Sequence, residues 1–339
     1  MVTGERGVDG VGSRTESSPS VLSSAPFAPG SVSIRLYLHN ELPADAIVSE
    51  LCAQARLALG SGFDGVMTSE HHGGFAGYMA QPLQMASFVL SEHATGWAAA
   101  APLLLPLRAT ALVAEEVAWL QARHRGRVGL GVAAGALPLD FEVAGVSQAD
   151  AVERFKAELP RLVAMLRGED LGELEEDPAL HACREAPVPV LSAAVSVAAA
   201  VRAARCGAGI LMEGMSAPSR LAHLTRAFDQ AGGTSAKVLI RRVWLGSVQS
   251  ELVDSQRAIY ESYAAGSFGE DQTIACDDPD DMAERLAATV QVVGADALNL
   301  RVQLPGMSPE QVREQIARIG STVVPSLQKV WPVPARGAP

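Results

Sequence analysis

The chain has few cysteines, few aromatic residues, no basic block and no long hydrophobic run, and each shortage removes a class of function. Four cysteines stand in 339 residues, Cys52, Cys183, Cys206 and Cys276. They are far apart and contain no C-x-x-C, so neither a disulfide framework nor a zinc ribbon is indicated, and a reducing cytoplasm is the default compartment. The 27 Lys and Arg are outnumbered by 38 Asp and Glu, for a net charge of -11, which would repel a phosphate backbone and argues against nucleic acid as a partner. The longest apolar run, "GWAAAAPLLLPL", is broken by Pro102 and Pro106 and falls well short of the roughly 20 residues that a membrane span requires. Residues 1–30 are rich in Ser, Gly and Pro and lack the continuous apolar core of a secretory signal. They read as a disordered tail, with a second short tail over 329–339.

Aromatics make up only 5% of the chain while apolar residues reach 48%, a balance suited to helices packed on short buried strands. Over residues 31–328 short β-branched or apolar runs alternate with longer segments of helical period. The strands expected are "SVSIRLYLH", "DGVMTS", "GWAAAAPLLLP", "RVGLGVAAG", "VPVLSAA", "AGILMEG", "KVLIRRVWLG" and "ADALNLRVQ". Between them lie helices such as the one opened by Pro43 and Asp45 and closed by Gly60 and Gly62. Residues 169–187 form an acidic excursion, and 249–276 a helix followed by a Gly-rich loop. Eight βα units count out a single (β/α)₈ barrel. An open doubly wound sheet would want a nucleotide fingerprint, but in Gly129, Gly131 and Gly135 the third glycine falls one residue too late for G-x-G-x-x-G.

The stretch with the densest chemistry is "FDGVMTSEHHGGF", residues 63–75. Glu70, His71 and His72 follow the second strand, and in a (β/α)₈ barrel the C-terminal strand ends build the active site. Metal ligation is disfavoured, because neighbouring residues rarely converge on one ion and the other histidines supply no H-x-H or H-x-x-x-H. His72 is read as a packed, hydrogen-bonded side chain. Glu70 either orients His71 as part of the catalytic machinery or is a solvated or salt-bridged carboxylate. On the seventh strand Arg241 and Arg242 point to opposite faces, so one of them can reach the mouth, and Arg301 at the end of the eighth can do so too. Asp140 and Glu142 carry no spacing that assigns them a role, and Phe141 reads as a loop anchor.

The segments "GFDGVMTSEHH", "PLLLPLRATALVAEEVAWLQARHRGRVGLGV", "LPLDFEVAGV" and "DDPDDMAERL...GADALNLRV" together resemble the bacterial luciferase-like monooxygenases, from about Ser33 to Pro325. The resemblance implies a (β/α)₈ barrel acting as a flavin-dependent oxidoreductase. It would be a monooxygenase using reduced FMN and oxygen on a small organic substrate, or a dehydrogenase using an 8-hydroxy-5-deazaflavin coenzyme, or a degenerate, non-catalytic partner subunit. It places His71 near the reacting edge of the flavin, where an imidazole can take or give a proton near neutral pH, with Glu70 beside it. It implies a cis peptide beneath the ring, for which the matching bond is Ala101–Pro102, and a bond to proline adopts cis far more readily than any other. The phosphate is expected at the helix start in "AAVSVAAAV", with Ser196 as hydroxyl donor or simple N-cap, aided by Gly135 and a basic residue such as Arg241. Where relatives often have an arginine before that glycine this chain has Ala134, which removes a bidentate clamp. A separate flavin reductase and a homodimer formed through early helices are further implications.

Overall fold

The computed structural model describes residues 25–247, 251–255 and 272–332. Among the described residues nine strands form one parallel sheet: β1 (Val32–Arg35), β2 (Gly65–Thr68), β3 (Trp97–Leu104), β4 (Val128–Ala133), β5 (Val190–Ala193), β6 (Gly209–Met212), β7 (Lys237–Leu245), β8 (Ile274–Cys276) and β9 (Ala297–Arg301). β1 to β7 are neighbours in sequence order, β7 pairs with β9, and β9 returns to β1. Eight strands thus close a barrel with helices between them, as the alternation predicts. β8, which the sequence pattern did not reveal, lengthens the rim by pairing with the last three residues of β7.

Helix boundaries follow local chemistry. The helix Ala44–Ser61 begins after Pro43 and ends at Gly62, whose φ of 119° is open to glycine and strained for other residues. Ser308 and Gln311 form a reciprocal capping box at the start of Pro309–Arg318. Two short helices occupy stretches expected as loop. Pro138–Ala144 lies in the 135–150 connection, and Pro178–Ala182 in the acidic excursion is capped by Asp177. The helix and Gly-rich loop expected over 249–276 lie mostly outside the described residues.

Strand alternation divides the apolar residues into two groups. One face of each strand packs against the helices. The other fills the lumen, where Phe27, Met67, Trp97, Ala99, Ala101, Leu191, Leu211, Val238, Ile240 and Ala297 form a separate cluster. The lower end is closed by Phe27 meeting Trp97 edge to face at 5.1 Å. This differs from the tail expected through residue 30: residues 25–30 are folded, the Gly30 N–H donates to the Asp296 carbonyl, and Phe27 is buried. No local pattern signals this, because one phenylalanine in a Ser/Gly/Pro context has no periodicity. Glycine is required opposite it, since a Cβ on Gly129 would lie 2.6 Å from the Phe27 ring.

Candidate active site

At the upper end of β2 the chain turns through Ser69, Glu70, His71 and His72, held to its neighbours by backbone bonds from Glu70 N to Pro102 O and from His71 N to Met79 O. The Glu70 side chain is fully buried. Its carboxylate accepts from the backbone N–H of Leu104 (2.5 Å), from Arg108 Nη2 (2.6 Å) and from His72 Nε2 (3.1 Å). Both of its oxygens are thereby engaged in joining the ends of β2 and β3. Glu70 is therefore a salt-bridged carboxylate and does not orient His71 as expected, because its oxygens are taken by Leu104, Arg108 and His72.

His71 has a different partner. Its Nδ1 lies 2.8 Å from Asp140 Oδ2, and the other Asp140 oxygen accepts from the His72 backbone N–H at 2.7 Å. Asp140 is buried, and a carboxylate can only accept, so Nδ1 carries the hydrogen of that bond and Nε2 is the ring nitrogen left for a reacting group. The ring is fixed on its sides by Phe75 and Tyr78, at centroid distances of 5.0 and 4.6 Å. An imidazole with an assigned tautomer, a locked orientation and one-fifth of its side-chain surface exposed is suited to proton transfer. Asp140 had no readable signal in the sequence, because it sits 69 residues from His71 on a short helix within a connection.

The lumen positions at this end form two unlike halves. On β3 to β5 they are Ala99, Ala101, Gly131, Ala133 and Ala193, all small. Leu211 and Met67 lie in the floor. Gly131 is needed for the closeness of β3 and β4, since a Cβ there would come within 2.8 Å of the Ala101 Cβ. The Ala101–Pro102 bond is cis, as expected, and adjoins a register shift between β3 and β4. On β7, β9 and β1 the corresponding positions are Arg242, Arg301 and Arg35.

The remaining expected positions have simpler surroundings. Gly135 turns the chain after β4 at φ 84°, packed so that a Cβ would touch the Phe141 ring at 2.8 Å. Ser196 caps the helix Val197–Cys206 by accepting from the Ala199 N–H, and it is exposed. Arg241 does not reach the mouth. It shares the outer face of β7 with Leu239 and Val243, is buried, and donates from Nη1 to the Gly214 carbonyl at 3.1 Å. Burial draws its pKa below the ordinary value, against the opposing pull of Glu213. The lumen-facing arginine of the pair is Arg242, because Val238 and Ile240 set the parity of the strand. Among the described residues no three His, Cys, Asp or Glu side chains gather as metal ligands.

Comparison with known proteins bears on this geometry. The family model described as luciferase-like monooxygenase matches residues 33–325. No curated protein matches the sequence significantly. Among solved structures, the monooxygenase RslO1 from Streptomyces bottropensis aligns with a TM-score of 0.69 at 18% identity, covering 87% of this chain and 99% of that one. The oxygenating constituent of 3,6-diketocamphane monooxygenase from Pseudomonas putida, in complex with FMN, aligns with a TM-score of 0.69 at 16% identity over 88% and 98%. An F420-dependent secondary alcohol dehydrogenase in complex with an F420-acetone adduct gives 0.68 at 18% over 88% and 98%.

Proposed function

This chain belongs to the luciferase-like monooxygenase family, and on that premise we propose that it is a flavin-dependent monooxygenase acting on a small organic molecule. The observation that carries the reading is the asymmetric mouth. A planar ring system needs a flat, apolar bed, and Ala101, Ala133 and Ala193 put only small side chains at the ends of β3, β4 and β5, the end of the barrel that also carries His71. When bound, reduced FMN would supply the electrons that activate oxygen. The helix start at Ser196 offers N–H groups to its phosphate, without an arginine at position 134. His71, held by Asp140, would give or take a proton through Nε2. The small apolar side chains would keep water from the reacting atoms.

A deazaflavin-dependent dehydrogenase is the second reading, supported by the likeness to the F420-dependent alcohol dehydrogenase. No dinucleotide fingerprint accompanies the barrel, so a reduced flavin would arrive from a separate reductase. A second copy of the chain would cover Phe88, Leu112 and Trp119, exposed on the helices Pro82–Glu92 and Thr110–Arg123.

The decisive measurement is a titration with FMN and with the deazaflavin coenzyme, followed by fluorescence. Ala133→Leu, which fills the small half of the mouth, should weaken binding by about tenfold or more, since placing a ring against added side-chain volume costs about 1–3 kcal/mol. Absence of saturable binding of either cofactor at high micromolar concentration would leave the degenerate partner subunit as the better description.

A further inference from the structure

The loops that follow β1, β2 and β9 enclose a cavity of about 140 Å³. Its walls include Tyr37 and Leu38 after β1, Tyr78 after β2, and Gln303, Leu304 and Met307 after β9. An apolar cavity of about 150 Å³ is large enough to bind benzene, so this one matches a single six-membered ring in size. Tyr37 and Tyr78 meet edge to face at 5.3 Å, and a third ring beside them extends a favourable aromatic cluster.

The walls are tied to one another before any ligand arrives. The Leu38 N–H donates to the Gly77 carbonyl at 2.8 Å, and the Gly77 N–H donates to Asn40 Oδ1 at 2.6 Å. Gly77 has φ 84°, and a Cβ there would already touch the Tyr37 ring at 3.5 Å. His39 is buried and accepts on Nε2 from Gln54 Nε2 at 3.0 Å, so its hydrogen sits on Nδ1, which donates to Glu41 at 3.0 Å. After β9 the Leu304 N–H donates to Met307 Sδ at 3.1 Å. Walls fixed in this way lose little freedom when a ligand enters.

Two features set the chemistry of the occupant. Gln303 Oε1 is buried and has no hydrogen-bond partner among the described residues. An unpaired buried acceptor is costly, and a ligand that brings an O–H to it removes the cost. The lining also holds a carboxylate, Glu41, and neither lysine nor arginine, which disfavours an anion. Arg301 stacks over the Tyr37 ring at 5.7 Å without entering the lining.

We infer that this cavity seats an uncharged, hydroxyl-bearing six-membered ring of the substrate, as in a phenol, with Gln303 Oε1 accepting from the hydroxyl. The claim rests on the flavin reading of the mouth and specifies its substrate class. Tyr78 packs against His71 at 4.6 Å, so the seat and the imidazole share a wall residue. A ring fixed there positions the remainder of the substrate for reaction at the mouth.

The test is calorimetry of the full chain with phenol, toluene and benzoate, run beside the FMN titration. Phenol should bind saturably at millimolar concentration or below and about fivefold more tightly than toluene, the share of one neutral hydrogen bond, with benzoate weaker than phenol. Gln303→Leu should weaken phenol by about fivefold and leave toluene binding as well or better. Ala76→Leu, at an exposed position of the lining, should weaken both rings by about tenfold by filling the space. FMN affinity should be the same in both variants as in the parent chain. Thermal melts establish that each variant is folded, and Ala76→Leu carries the test if Gln303→Leu is not. The inference is overturned if phenol does not bind, if FMN displaces it, if benzoate binds more tightly, or if a folded variant leaves phenol affinity unchanged. Phenol binding through Gln303 with no binding of either flavin sinks the cofactor reading and leaves the ring seat standing. Flavin binding without phenol binding does the reverse.

Discussion

The imidazole of His71 and the carboxylate of Asp140 form the smallest unit that can do chemistry here. The pair fixes a tautomer as well as a position, and a histidine that only packs against Phe75 and Tyr78 would not need one. His71→Ala should lower turnover by about 10² to 10⁴-fold, as loss of a general acid–base group does, with flavin affinity retained. Asp140→Asn should lower it by about 10²-fold or more, because an amide can present its NH₂ to Nδ1 and invert the tautomer. Steady-state rates beside a flavin titration test both, and unchanged turnover in His71→Ala would assign the ring to packing. His71 was legible as a candidate because an E-H-H after a barrel strand has a place at the mouth. Its partner was not, since Asp140 lies 69 residues away on a short helix within a connection.

At the scale of elements, Glu70 is a fastener. It holds the end of β2 to the Leu104 N–H on β3 and to Arg108 just beyond, and Arg108 has 20% of its side-chain surface exposed while Glu70 has none. Glu70→Ala leaves the buried Leu104 N–H without its acceptor and takes from Arg108 its nearest one, Gln81 and Glu116 remaining. The loss of folding stability should be about 3–5 kcal/mol, the range for breaking a buried ion pair from one side, measured by urea unfolding. A loss below about 1 kcal/mol would mean that the pair is solvated. The arginine on β7 shows how far strand reasoning reaches. Alternation establishes that Arg241 and Arg242 face opposite ways, but only the closed barrel decides which way is in, through Val238 and Ile240 beneath Arg242.

Across the molecule, the barrel buries two thiols far from the mouth. Cys52 and Cys183 are each pushed up to about 11, in both cases chiefly by burial, with Glu92 acting on Cys52 and Asp177 on Cys183 in the same direction. A thiol whose folded pKa lies above the unfolded value of 9.0 contributes stability that is complete below pH 9 and lost as the pH rises through about 11. The melting temperature should therefore decline across that window, and both thiols should resist alkylation at pH 8 in the native protein while reacting in urea. Rapid labelling of Cys183 in the native state would contradict its complete burial. Among the described residues no helix is long and apolar enough to cross a membrane.

The sequence by itself determined the barrel, because periods of two and 3.6 alternating eight times leave little else for a parallel sheet to do. It also determined the end of the barrel at which Glu70, His71 and the Ala101–Pro102 bond lie, since chain direction orients every strand alike. Tertiary structure alone decided that Asp140 serves His71, that Phe27 stops the lower end, and that Arg35, Arg242 and Arg301 come side by side. Those relations join residues tens to hundreds of positions apart, and they arise from the register and closure of the sheet, which no local pattern of side chains encodes.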